Sequence, residues 1–281
     1  MATNATYLEV LQWASSFLAH HKREEYAAER LLLDLLGWDK TKLIQSLQAE
    51  IPEAIKQRYQ AAIKAHATGM PIQYLTGFEY FFDRPFKVTA DTLIPRPETE
   101  EVVARVLAEI DSLQAPKILD VGTGSGIIGL TLKAERPDAA VTLTDISSEA
   151  LAVAKENGKQ HQLAVRYLAG DLFAPVTKEK FDVIVSNPPY IPEIDKQLME
   201  DVVLEHEPHL ALFAENDGLA IYQRFAQELS TYLKTPGFAA FEIGFNQGQR
   251  VKALFQQALP TAHVWYEKDL AGNDRMLLIQ L

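Results

Sequence analysis

Asn187-Pro188-Pro189-Tyr190 follows directly on the apolar run Phe181-Asp182-Val183-Ile184-Val185-Ser186, the pattern of a buried strand that delivers a stiff polar loop. Proline fixes φ and has no N–H, so the carbonyls of such a turn have no neighbouring prolyl donor to bond. The Oδ1 of Asn187 and the carbonyl of Pro188 can then accept both hydrogens of a substrate –NH2 group. Tyr190 supplies a flat face for a planar group to lie against. These residues orient an amine or amide and do not attack it. Asn-Pro is also a common turn starter, so the loop gains its meaning from a second element.

That element lies upstream, where Lys117-Ile118-Leu119-Asp120-Val121 reads as a short buried strand running into Gly122-Thr123-Gly124-Ser125-Gly126-Ile127-Ile128-Gly129. Glycine lets backbone approach a ligand closely, and the N-terminus of the following helix favours an anionic group. The next strand, Ala140-Val141-Thr142-Leu143-Thr144, ends at Asp145, where a βαβ nucleotide site grips ribose hydroxyls. Gly124, Gly126 and Gly129 also satisfy the dinucleotide spacing G-x-G-x-x-G, a weak pattern alone. A dehydrogenase needs an acid/base or hydride-handling group beyond the fourth strand, whereas Asn187 to Tyr190 offers acceptors and an aromatic face. Acceptors aimed at an amino group suit methylation at nitrogen by S-adenosyl-L-methionine. On that reading Asp120 faces the methionine ammonium. The backbone of Gly122, Thr123, Gly124, Ser125 and Gly126 faces the carboxylate and sulfonium, and Asp145 holds the ribose. The plainer alternative is that Asp120 caps a helix and Asp145 ends a strand.

At these residues the chain resembles the class I S-adenosylmethionine-dependent methyltransferases that carry an (N/D)PPY motif after the fourth strand. Within that class it is similar to the release factor glutamine methyltransferases, the PrmC or HemK family. The closer resemblance rests on Pro71-Ile72-Gln73-Tyr74-Leu75-Thr76-Gly77, Leu93-Ile94-Pro95-Arg96-Pro97-Glu98-Thr99-Glu100 and Gly272-Asn273-Asp274-Arg275, which have no role in general methyl transfer. The resemblance implies a Rossmann-like α/β fold with a seven-stranded sheet. It implies S-adenosylmethionine as cofactor, with Asp171, Leu172 and Asn187 also bordering it. The implied substrate is the glutamine of the Gly-Gly-Gln motif in class I peptide chain release factors, with Asn187, Pro188 and Tyr190 catalytic and Pro189 part of the substrate wall. One departure is visible: some members place a tryptophan against the adenine after Asp171, and here the residue is Leu172.

Composition agrees with this. At 281 residues with 47% hydrophobic content, the chain can bury one large or two modest cores. No apolar run reaches the length of a membrane span, and no basic start precedes an apolar core, so a cytoplasmic location is expected. The chain has no cysteine, which excludes disulfides, a thiolate nucleophile and a Cys-based zinc site. The formal net charge of −11, with Lys22-Arg23 followed at once by Glu24-Glu25, shows no basic stripe for nucleic-acid phosphates, and stable nucleic-acid binding is not expected. His206-Glu207-Pro208-His209 superficially resembles a metal motif, but a zincin needs histidines at i and i+4 on an unbroken helix. No metal is expected, and the family resemblance makes Glu207-Pro208 part of the wall after the catalytic loop.

The periodicity predicts a helical bundle over residues 1–72, read as a substrate-docking domain by resemblance. Its helices run from Thr6 to His20, with a Thr6/Glu9 capping box, from Glu24 to Leu36 ended by Gly37, and from Pro52 toward Gly69. Residues 73–92 read as a β-hairpin linker, Phe78 to Phe82 and Phe86 to Val88 flanking Asp83-Arg84-Pro85. Residues 93–281 form the catalytic domain, in which the prolines hold Arg96, Glu98, Thr99 and Glu100 in an ordered loop. Strands are expected over 165–170, 181–186 and 238–243, and helices over 98–110, 218–233 and 247–259. The last two strands, near 263–266 and 275–280, have no helix between them and are expected to pair antiparallel. Three other functions stay open: a glutamine methyltransferase of a ribosomal protein, an adenine-N6 nucleic acid methyltransferase, and a cofactor-binding adaptor without catalysis.

Overall fold

The structure, a computed structural model, describes residues 5–199 and 201–281. The chain forms two compact units, one running to Gly77 and taking in Asp201–His206, the other comprising Phe78 onward apart from that segment.

The first unit is built on helices Tyr7–His20, Tyr26–Leu36, Lys40–Ser46, Glu53–Ala67 and Ile72–Thr76. The capping box forms: Glu9 N–H donates to Thr6 Oγ1 (3.2 Å) and Thr6 N–H to Glu9 Oε2 (2.7 Å). Gly37 ends the second helix at φ 62°, where a side chain would be strained. Leu18, Leu31, Leu32, Tyr59 and Ile63 meet in the core, and the Tyr59 hydroxyl donates to the Ala28 carbonyl at 2.8 Å. The Lys40–Ser46 helix has no counterpart in the sequence reading. It is seven residues long, buries only Leu43 and is started by Asp39, whose carboxylate accepts from Lys42 N–H, so it carries no repeat to detect.

The second unit begins with the hairpin, whose strands are Phe78–Phe81 and Arg84–Lys87. The turn is Phe82-Asp83 and not Asp83-Arg84-Pro85, because both turn residues take positive φ (48° and 58°), the two-residue geometry that matches strand twist. The hairpin packs into the second unit. Phe81 and Phe86 enter the main core, and the Asn157 side chain exchanges hydrogen bonds with Lys87 N–H (2.7 Å) and carbonyl (3.0 Å).

A seven-stranded sheet dominates this unit: β1 (Lys117–Val121), β2 (Ala140–Asp145), β3 (Arg166–Ala169), β4 (Phe181–Ser186), β5 (Leu233–Glu242), β6 (His263–Lys268) and β7 (Asp274–Gln280). Their order is β6-β7-β5-β4-β1-β2-β3, parallel from β5 to β3, with β7 antiparallel to both β5 and β6 as the missing helix implied. Alternate residues serve opposite faces. Ile118, Val183, Ala240 and Leu278 join one core, while Leu119, Ile184, Phe241 and Leu277 join the other. Burial on both sides explains the near-continuous apolar runs. Each fully buried Leu, Ile or Phe contributes about 1.5–3 kcal/mol, enough to hold the strand ends rigidly. The strand order reverses between β1 and β4, whose carboxyl ends lie side by side with Val121 opposite Ser186. An open parallel sheet places its ligand crevice at such a point. Among the described residues no helix is long and apolar enough to cross a membrane.

Candidate active site

Because β1 and β4 are neighbours, the glycine turn and the Asn187 loop leave the sheet together. Ser186 Oγ donates to the Val121 carbonyl at 2.6 Å and stitches the two exits at their base. Above them lies a cavity of about 460 Å³ within the second unit. Its wall takes in Gly122, Thr123, Gly124, Ser125, Asp145, Asp171, Leu172, Asn187, Pro188 and Pro189. Asp120, Gly126 and Tyr190 are not on it.

Gly122 and Gly124 adopt φ 68° and 57°, and a Cβ built on either would meet nothing within 4 Å, so bare backbone faces open space there. Asp145 is anchored by that turn: Gly124 N–H donates to Oδ2 (2.8 Å) and Ser147 N–H to Oδ1 (2.9 Å). Burial raises its carboxyl above the usual range, against the backbone donors of Gly124, Ser147 and Ile146. Each oxygen keeps a lone pair for a ligand hydroxyl.

Asp120 is fully buried behind this wall. Its Oδ2 accepts from Thr123 Oγ1 (2.5 Å) and from Gly129 N–H (2.9 Å), while Oδ1 has no protein partner. Burial pushes its carboxyl up to about 7. It therefore ties the glycine turn to the helix Ile127–Glu135 instead of fronting the cavity. Gly129 is needed for this close approach, since a Cβ there would lie 2.9 Å from Asp120 Oδ2. Gly126 likewise faces Leu130 and Ala154, not the cavity.

The opposite rim comes from residues 90–99, with Thr92, Pro95, Arg96 and Thr99 on the wall. The buried Glu207 clamps this segment by accepting from Ile94 N–H (3.2 Å) and from the Arg96 guanidinium (2.7 Å), and Pro208 beside it is also on the wall. Asp171 is paired with Arg224 at 2.6 Å, and Leu172 presents its side chain at φ 44°. The carboxylate of Glu100 accepts from Phe82 N–H at 2.8 Å.

Tyr190 is held away from the cavity by the end of β5. Its hydroxyl donates to Glu242 Oε1 (3.4 Å), and its carbonyl accepts from Gln247 Nε2 (2.9 Å). Burial, together with the neighbouring Glu242 charge, raises its phenol well above the ordinary value, so it stays protonated. Glu242 is itself buried. Its Oε2 accepts from Thr99 Oγ1 at 2.6 Å and its Oε1 lies 3.9 Å from the Arg275 guanidinium. Burial raises its carboxyl, opposed by the Thr99 hydroxyl and Arg275. Arg275 in turn pairs with Asp269 at 3.0 Å. Sequence reasoning missed Glu242, Gln247 and Arg224. A signal existed for the first, since Glu242 is a lone acid at the tip of the apolar strand Phe238-Ala239-Ala240-Phe241, the cue that singled out Asp145.

Comparison with known proteins follows the same lines. Residues 101–212 match the Methyltransferase small domain family and residues 9–77 the PrmC N-terminal domain. The release factor glutamine methyltransferase of Bacillus cereus is 44% identical over 278 residues, covering 97% of this chain and 98% of its own. That of Enterococcus faecalis is 43% identical over 274 residues, covering 98% and 99%. A methyltransferase structure from Pyrococcus furiosus shares the fold with TM-score 0.53 at 18% identity, covering 79% of this chain and 96% of that one. The strand order, the glycine turn and the acid closing β2 define a class I methyltransferase, and the open backbone at Gly122 and Gly124 beside Asp145 fits its methyl donor, S-adenosylmethionine. With relatives of this identity along nearly its whole length, the chain belongs to the release factor glutamine methyltransferase family.

Proposed function

We propose that the protein methylates the side-chain amide nitrogen of the glutamine in the Gly-Gly-Gln motif of class I peptide chain release factors. The observation that carries this reading is one cavity holding both the glycine turn with Asp145 and the Asn187-Pro188 acceptor pair. Bound S-adenosylmethionine supplies an electrophilic methyl on a sulfonium and leaves as S-adenosylhomocysteine. The backbone of Gly122 to Ser125 and the carboxylate of Asp145 would hold the cofactor, with Leu172 on the same cavity wall.

An amide nitrogen is a poor nucleophile because its lone pair is delocalised into the carbonyl. Asn187 Oδ1 and the Pro188 carbonyl accept its two N–H bonds, point the lone pair at the incoming methyl, and stabilise the positive charge that grows on nitrogen. Transfer would form an N–C bond at the expense of the donor's S–C bond, and one N–H proton would then pass to water or a carbonyl. No strong base is needed, since a methylated amide nitrogen sheds its proton readily. The helical unit, residues 1–72 of this reading, is the docking surface for the rest of the factor, supported by its separate match to the PrmC N-terminal domain. Such a role places the protein in the cytoplasm with translation, and the net charge of −11 supports a protein substrate over a nucleic acid.

Methyl transfer from labelled S-adenosylmethionine to purified unmethylated release factor tests this, with a factor lacking the glutamine as control. Label entering only the native factor supports the proposal. Label in ribosomal protein or nucleic acid instead would retain a methyltransferase and overturn the substrate.

A further inference from the structure

Tyr190 ends the acceptor loop and yet turns its ring away from the cavity that the loop serves. Its hydroxyl reaches Glu242, the last residue of β5, and its carbonyl accepts from Gln247, which in turn accepts from Gly244 N–H at 2.9 Å. A third restraint is steric: any Cβ at Gly218 would drive into the Tyr190 carbonyl, so bare backbone packs against the loop there. One residue is thus held at its side-chain tip by the end of β5 and at its backbone by the chain that follows. Two prolines, Pro188 and Pro189, leave few rotatable bonds between that grip and Asn187.

Glu242 does not act alone, because Thr99 and Arg275 face the same carboxylate. The motifs around Arg96 to Glu100 and Asn273 to Arg275, which have no part in methyl transfer itself, therefore converge with the acceptor loop on one buried acid. We propose that Glu242 and Gln247 are positioning residues: they clamp Tyr190 and, through the two prolines, aim the Asn187 and Pro188 acceptors. This rests on the function proposed above for Asn187 and Pro188. It assigns Tyr190 an anchoring hydroxyl instead of a face stacked on the substrate.

Tyr190→Phe separates the two roles, since it keeps the ring and removes the hydroxyl. Methyl transfer to the release factor is measured for the full-length wild type, Tyr190→Phe, Glu242→Gln, Gln247→Leu and the double variant Tyr190→Phe/Glu242→Gln. A loop shifted by about 1 Å costs up to ~100-fold in rate, so kcat is expected to fall about 10- to 100-fold. The KM for the factor and the Kd for S-adenosylmethionine stay within about twofold, because ground-state binding does not depend on that aim. The double variant is expected to lose no more than its worse single, as both break one bond. Tyr190→Phe at wild-type kcat, or a change confined to KM, overturns the proposal. A wild type that fails to label the factor defeats the substrate reading instead, and the positioning claim is then read from crystal structures of Tyr190→Phe and Glu242→Gln. An Asn187 Oδ1 displaced by about 1 Å supports it, and an unmoved loop overturns it.

Discussion

Thr99 and Glu242, 143 positions apart in the chain, are both buried and joined by a 2.6 Å hydrogen bond from hydroxyl to carboxylate. The bond fastens the start of the helix Pro97–Glu109 to the tip of β5, beneath the acceptor loop. Thr99→Val keeps the shape and leaves a buried carboxylate oxygen unsatisfied. A loss of about 1–3 kcal/mol in urea unfolding is expected. An unfolding midpoint equal to wild type would mean that water replaces the hydroxyl.

Asn187→Ala removes one preorganised acceptor from the site. Its kcat is expected to drop about 10²- to 10³-fold. Titration calorimetry is expected to give a nearly unchanged Kd for S-adenosylmethionine. An equal loss of cofactor affinity would count against a transition-state role.

Asp120 makes a pH prediction. Its folded carboxyl is raised from 3.8 to about 7 by burial, so the native state holds a proton that the unfolded chain has already released. The stability this group contributes is fully present below about pH 4 and is lost as pH rises through about 7. Asp120→Asn cannot ionise, so the difference in melting temperature between variant and wild type is expected to grow in the variant's favour across that window. A constant difference from pH 4 to 8 would show that Asp120 is ionised throughout.

Docking by the helical unit is tested at its exposed apolar residues Tyr26 and Ile44, 67% and 59% exposed. Tyr26→Glu and Ile44→Glu are expected to raise KM for the intact factor several-fold and to leave turnover of a short Gly-Gly-Gln peptide unchanged. An unaltered KM for the intact factor would remove this face from the docking surface.

The amino-acid sequence alone determined the elements whose signals are local. Strand tips marked by Asp145 and Asn187, the Thr6/Glu9 capping box, the left-handed Gly37 and the helix-free pair β6 and β7 follow from residue type and spacing, because they depend on φ, on missing N–H groups and on alternating burial. Tertiary structure decided which of those residues meet. Asp120 and Tyr190 have the chemistry to touch ligands, yet one is tied to Gly129 and the other to Glu242, and both sit off the cavity wall. Glu207, Arg224 and Gln247 find their partners Arg96, Asp171 and Tyr190 at sequence separations of 111, 53 and 57. The physical reason is that a side chain's periodicity reports the face it occupies on its own element. Its hydrogen-bond partner depends on which elements the sheet order β4-β1-β2 and the packing above it bring alongside.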